Sequence, residues 1–405
     1  MLIGNSVYAQ RLYTISEVVA EARNNNPVLK AETFSVNMAF SNITTAGLRP
    51  NPVFNNQTIQ LLNQRYSPNH SSLTNGANRQ LWYQVTKPML LGNLRNKRVD
   101  FAKQGAVSAG TAFSELNRNI SYEVALKWMD VWLLKTNLAV FSVAKENVDS
   151  LVYINQVRLR NQVITPIELI RTQVLSDQYG LKLKSLNNQF VNELRNLKYI
   201  SGITDSLDIN DKINLITFDF LENRDTLLAI ALHRRSDLAY AQSNIELSKR
   251  NIQVQKAAGL PYFEGGVIFN PQNLIPYAGT YATLSIPVFA RNQGEREKAQ
   301  FMLKQSESYL TAKEIQIRTE VENAYNSYFT YKKNLEEYQA IVAQSLKVLN
   351  TVRYSYLKGN TTLIDFLDAQ RTYLETQGLY NEAVYNFRKS YIDVLYTTGL
   401  IADIN

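Results

Sequence analysis

The sequence predicts a mostly α-helical fold with a smaller β part, built from a strand–strand–helical-hairpin unit that occurs twice. Three observations predict it. The chain repeats its own pattern about two hundred residues apart, a heptad seam runs through one long helical segment, and short strand-like segments interrupt both copies at the same place. A repeat of this length is too large for a solenoid unit and reads as a duplicated domain.

Four pairs of segments set the repeat. Asn26-Pro27-Val28-Leu29 is echoed by Arg235-Ser236-Asp237-Leu238, and Ala46-Gly47-Leu48-Arg49-Pro50 by Ala258-Gly259-Leu260-Pro261. Lys87-Pro88-Met89 is echoed by Ile286-Pro287-Val288, and the run Thr165 to Gln173 by Thr362 to Gln370. The offsets, 209, about 211, 199 and 197, differ by small insertions only. The first copy spans 13–200, the second 224–400, and 201–223 connects them.

Helices are predicted at about 13–46, 93–160 and 166–200, then at 224–257, 292–357 and 362–399. Within 292–357, Ile317, Ala324, Tyr331 and Tyr338 fall seven apart. Val321, Tyr328, Leu335, Val342, Leu349 and Tyr356 follow four residues behind, which is an a/d seam. A helix of that length would measure about 100 Å at ~1.5 Å per residue, so it belongs to a rod, a hairpin or a bundle. Pro166 and Lys358-Gly359-Asn360 break the helices at corresponding places, folding each copy into an antiparallel hairpin. The two tips should lie at the same end.

Strands are predicted at about 51–63, 80–88, 262–270 and 279–287, two per copy, joined by loops at 65–78 and 270–279. Leu81, Tyr83 and Val85 alternate with Trp82, Gln84 and Thr86. Phe263, Val267 and Phe269 also keep even spacing, as do Ala282, Leu284 and Ile286. Their lengths suit tilted membrane strands of ~9–11 residues, although a soluble hairpin in each half has the same pattern. Four strands cannot close a barrel, and an open edge cannot survive in lipid. Membrane strands therefore require several chains; three would give twelve, an even number.

Composition removes several alternatives. There is no Cys, so disulfides and thiolate metal sites are excluded. Two histidines, His70 and His233, cannot supply a His-based zinc site. The net charge of +8 is spread along the chain, which argues against nucleic acid as a partner. No apolar run is long enough for a membrane helix. Val7-Tyr8-Ala9 before Gln10 fits the cleavage pattern of an export leader, of which residues 1–9 would be the remnant; a frayed terminus is the alternative. No nucleophile elbow, phosphate-cradling Gly-rich loop or metal-ligand cluster is present, so an enzyme is the weakest reading.

Strand pairs inserted between long helices, in two copies, resemble the TolC-type outer-membrane efflux proteins from about Tyr13 to Gly399. The strongest match is Tyr354 to Tyr373, where an aromatic, Gly359, Asp365 and Asp368 occur in the order of that family's second tip. Leu48-Arg49-Pro50-Asn51-Pro52 before the first strand adds to it. The run Ser285 to Gly294 after the last strand is similar to the heavy-metal and multidrug branch that serves RND pumps. The resemblance implies a homotrimer in the outer membrane, with a twelve-stranded barrel continued by a twelve-helix periplasmic tunnel. It implies that hairpin tips carrying Thr165, Pro166, Glu168, Gly359 and Thr361 meet a periplasmic adaptor and, through it, an inner-membrane pump. The cargo would be metal cations or drugs. A coiled-coil scaffold that binds partner proteins is the second reading, but it gives no reason for strands in both copies.

The resemblance also implies that Asp365 and Asp368, one turn apart on the same helix face, form stacked acidic rings that favour cations. Taken without it, they read as a solvated helix start complementing the dipole. Tyr356 is either a seam aromatic or, by resemblance, a gate residue. Relatives that latch the aperture carry Arg where this chain has Thr361. Glu168 is the first-copy counterpart of Asp365, and Arg171 stands in place of Asp368. Trp82, Tyr83 and Tyr262 are candidates for interfacial aromatics, whereas Trp128 and Trp132 read as helix packing.

Overall fold

A computed structural model describes residues 11–60, 79–210, 223–272 and 275–404. The leader segment 1–9, the loop with His70, most of the connection 201–223 and the tip between the last two strands lie outside these residues. In chain order the elements are β1 (Arg11–Tyr13), α1 (Ile15–Asn25), α2 (Pro27–Gly47), β2 (Val53–Gln60) and β3 (Arg79–Met89). They continue with α3 (Leu94–Arg160), α4 (Pro166–Ser201), β4 (Leu207–Ile209), α5 (Arg224–Arg234) and α6 (Ser236–Ala258). β5 (Phe263–Gln272), β6 (Ile275–Leu284), α7 (Gln293–Leu357) and α8 (Leu363–Thr398) complete the second copy, followed by a 3-10 turn, Ile401–Asp403. The chain divides into two compact units: 1–33, 113–238 and 313–405 form the first, and 34–112 with 239–312 form the second.

The first unit is helical. Its main core gathers Ile15, Val18, Trp128, Met129, Leu197, Ile209 and Ile392, all at or near full burial. A two-stranded parallel sheet of β1 and β4 flanks this core, and the sequence reading missed it because each strand has three residues. Trp128 and Trp132 are buried packing residues, as expected; the Trp128 indole donates to the Tyr13 carbonyl. The seam of α7 also holds. Ile317, Val321, Ala324, Tyr328 and Tyr356 are buried, and the positions between them are half-buried.

Two expected helices are each split in two, at equivalent places. The stretch 13–46 breaks at Asn26, whose side-chain oxygen accepts from the amides of Val28 and Leu29 and so caps α2. The Asn26 amide group donates to the Ile200 carbonyl. In the second copy, 224–257 breaks at Arg235, whose guanidinium donates to the Thr397 carbonyl, the repeat equivalent of this contact. Gly202 ends α4 in the left-handed conformation at φ 68, and a Cβ there would lie 2.5 Å from the Asn25 carbonyl oxygen. The break and the tight helix end fit together in space.

Around Arg235 a neutral network of six charges is assembled from α3, α6 and α7 and the break between α5 and α6. Arg235 pairs with Asp237 and Glu320, both at 2.7 Å; Arg118 pairs with Glu115 at 2.8 Å and Asp237 at 3.6 Å; Lys313 lies 3.5 Å from Asp237. Burial alone would raise the Asp237 pKa. The Arg235 guanidinium, with Arg118 and Lys313, outweighs that and holds the carboxyl below the ordinary range.

The second unit carries one antiparallel sheet in the order β2-β3-β5-β6. The hairpins of the two copies join through β3 and β5, with Met89 opposite Phe263 and Tyr83 opposite Phe269. The last strand runs at 275–284 instead of 279–287, so most of the expected loop 270–279 is strand. Pro271 and Pro276 suggested a loop, yet they sit opposite each other near the end of the hairpin where β5 connects to β6. Beyond Leu284 the ladder closes with a bond from the Ser285 amide to the Tyr262 carbonyl, and Ile286 and Pro287 leave it.

Candidate functional site

The tips come together in the first unit. α3 and α7 end in matching turns, where Gln162 and Gly359 occupy left-handed conformations at φ 58 and φ 79. In both, the next amide reaches back to satisfy the helix end: Val163 to the Arg158 carbonyl and Asn360 to that of Ser355, each at 2.9 Å. The following helices start alike. Thr165 and Glu168 form a reciprocal capping box with Pro166 in the first turn, and Thr362 forms one with Asp365. The pattern of Thr followed three residues later by an acid was present in the sequence and identifies Thr362 as a residue the sequence reading passed over.

Asp365 is therefore a capping residue. Its carboxylate accepts from the hydroxyls of Thr362 and Thr361 at 2.6 and 2.8 Å, and these bonds lower its pKa. Thr361 thus turns inward onto Asp365. Asp368 stands one turn further on, exposed, and pairs with Arg371 at 2.7 Å. Both carboxylates are open to solvent in the isolated chain.

Tyr356 is buried, with 4% of its surface exposed. It stacks on Phe366 at a centroid distance of 5.5 Å, and its hydroxyl donates to Asn155 Oδ1 at 3.0 Å. Leu151 and Leu363 complete the cluster. Arg158 lies over the Tyr356 ring and donates to the Leu357 carbonyl at 3.0 Å. Together these contacts tie the end of α3 to the ends of α7 and α8, so the two tips do share one end. Gly359 and Thr165 stand exposed there, and Glu168 is half-buried.

In the second unit, strand register sorts the sheet into two unlike faces. Phe54, Leu81, Tyr83, Val85, Met89, Phe263, Val267, Phe269, Ala278, Ala282 and Leu284 all lie on one face. The other face carries Asn55, Gln57, Gln80, Gln84, Thr86, Glu264, Asn270 and Thr283 together with Val53, Ile59, Trp82, Ile268, Ile275 and Tyr277, while Asn56, Thr58, Lys87 and Thr280 stand on the first, so the division is a bias in composition. Thr86 donates to Glu264 on this polar side. Of the expected interfacial aromatics, Tyr83 lies on the apolar face and Trp82 on the polar one, while Tyr262 precedes β5. The sheet remains open, with β2 and β6 as its edges. Among the described residues no helix is long and apolar enough to cross a membrane, and no His, Asp and Glu cluster could hold a metal ion.

Residues 227–399 match the outer membrane efflux protein family. The fold is that of solved outer-membrane channels. CusC aligns with a TM-score of 0.79 at 16% identity, over 97% of this chain and 95% of that one. The CmeC outer membrane channel of Campylobacter jejuni aligns at 0.76 and 15%, over 98% and 90%, and the outer membrane protein VceC of Vibrio cholerae at 0.75 and 13%, over 95% and 96%. No curated protein matches the sequence. Over residues 227–399 the chain is thus similar to the outer membrane efflux proteins, and nearly its whole length has the fold of TolC-type outer-membrane channels.

Proposed function

We propose that three copies of this chain close one twelve-stranded barrel, continued by a twelve-helix tunnel, and form the passive exit duct of a tripartite efflux system. The observation that carries this is the open, two-faced sheet. Its four strands alternate in direction, so β6 of one copy beside β2 of the next continues the antiparallel pattern and removes both edges. Apolar residues then face lipid and polar residues face the lumen. The family generally forms trimers that work with a periplasmic adaptor and an inner-membrane pump. In this chain the pump is of the RND type, the adaptor sits on the tips around Thr165, Pro166, Glu168, Gly359 and Thr361, and the cargo is metal cations or drugs.

The duct narrows at the tips. Asp365 and Asp368 of each copy face the lumen as two acidic rings, and the Tyr356–Asn155 contact sets how far α7 and α8 open. The test is planar-bilayer conductance of the purified chain. Cation-selective steps are expected, and D365A/D368A should weaken both the selectivity and the block by multivalent cations. No conductance would remove the duct reading, and unchanged selectivity in the double variant would remove the rings.

A further inference from the structure

The turn that leaves the last strand, Ile286-Pro287-Val288-Phe289, has an unusual surface. Ile286 is 76% exposed, Val288 55% and Phe289 90%. Such a display normally hides inside a protein, and here the backbone beneath it is prepared for a place with little water. The Ile286 carbonyl accepts from the Val288 amide at 2.9 Å, the Pro287 carbonyl from Arg291 Nε at 3.1 Å, and the Phe289 carbonyl from Gln293 Nε2 at 3.1 Å. Gln293 is itself fixed by the Arg291 amide at 2.8 Å, and Pro287 has no N–H to satisfy. Two side chains thus do what solvent does for an ordinary exposed turn.

Position adds to this. Met89, Phe263 and Leu284 lie in register at the sheet end where the helices attach, all on the apolar face, and the turn follows directly from Leu284. Lys87, on that face, and Arg291 place positive charge beside it. An apolar turn with three hydrogen-bonded carbonyls, continuous with a mainly apolar sheet face and edged by basic residues, matches the headgroup–acyl boundary of an anionic phospholipid leaflet.

We propose that residues 286–289 insert into this boundary as a membrane anchor and set the depth at which the barrel sits. The proposal rests on the barrel reading above. The first copy is the weaker anchor: its equivalent turn displays Met89 and Leu91 at 49% and 39% exposure.

The chain lacks Cys, so a single nitroxide can be placed in the otherwise natural protein. Phe289→Cys and Ile286→Cys would be labelled in phosphatidylethanolamine–phosphatidylglycerol vesicles, with Val267→Cys as the strand control and Lys347→Cys as the water control. Collisions with oxygen and with a polar nickel complex are then compared. The expected oxygen-to-nickel ratio at 289 and 286 is several-fold above that at 347 and close to that at 267. A water-like ratio at both turn positions, or both collision rates suppressed by a neighbouring copy, overturns the anchor while a lipid-like Val267 leaves the barrel standing. A water-like Val267 overturns the barrel reading and the anchor with it.

Discussion

Replacing Tyr356 with Phe should loosen the tips without disturbing their packing. The ring keeps its stack on Phe366, so only the hydroxyl and its bond to Asn155 Oδ1 are lost. Asn155 is fully buried, and its Nδ2 already has no partner among the described residues. The variant leaves its Oδ1 unpaired as well, at a cost of about 1–3 kcal/mol for a buried orphan. If α7 and α8 open locally there, amides at 349–366 should exchange roughly 5- to 150-fold faster. Hydrogen exchange read by mass spectrometry measures this directly. Adding Asn155→Leu removes the orphaned polar group and should restore most of the protection, because replacing both partners with apolar groups is nearly neutral. Unchanged exchange in the single variant, or faster exchange in the double, would refute the role given to this bond.

Asp237→Asn leaves two buried arginines and the half-buried Lys313 facing two carboxylates and should cost about 3–5 kcal/mol, seen as a lower melting point by far-ultraviolet circular dichroism. Because folding lowers the Asp237 pKa, its contribution is full above the unfolded value of ~3.9 and is lost as pH falls through the lower folded value. The natural chain should therefore lose stability more steeply than the variant in that acid window. Gln162→Gly should stabilise the first tip by about 1 kcal/mol by relieving a left-handed residue, and slower exchange at 157–168 would register it.

Long periodic elements were the legible part. The ends of α3, α4, α7 and α8 fall within a residue of the expected ones, because Pro166 and the Gly359 turn punctuate them and the repeat supplies each twice. The break at Asn26 was also signalled, since Pro27 suits a first helical position, but Arg235-Ser236 has no such mark. Gln162 discloses its left-handed backbone only through its equivalence to Gly359. Arg118, Arg235 and Asp237 look like surface charges in sequence, and their burial depends on partners such as Glu320, some eighty residues away. Tyr356 was placed on the seam correctly, but its bond to Asn155 joins residues 201 positions apart. The two faces of the sheet could be sensed strand by strand; only the register between strands lines them up.

Closure of the barrel by three identical chains is the claim on which the rest depends. Native mass spectrometry of the detergent-extracted protein tests it most directly. The open edges of β2 and β6 predict a single species of three chains, three times 46.2 kDa for the full sequence. A stable monomer or dimer would contradict it.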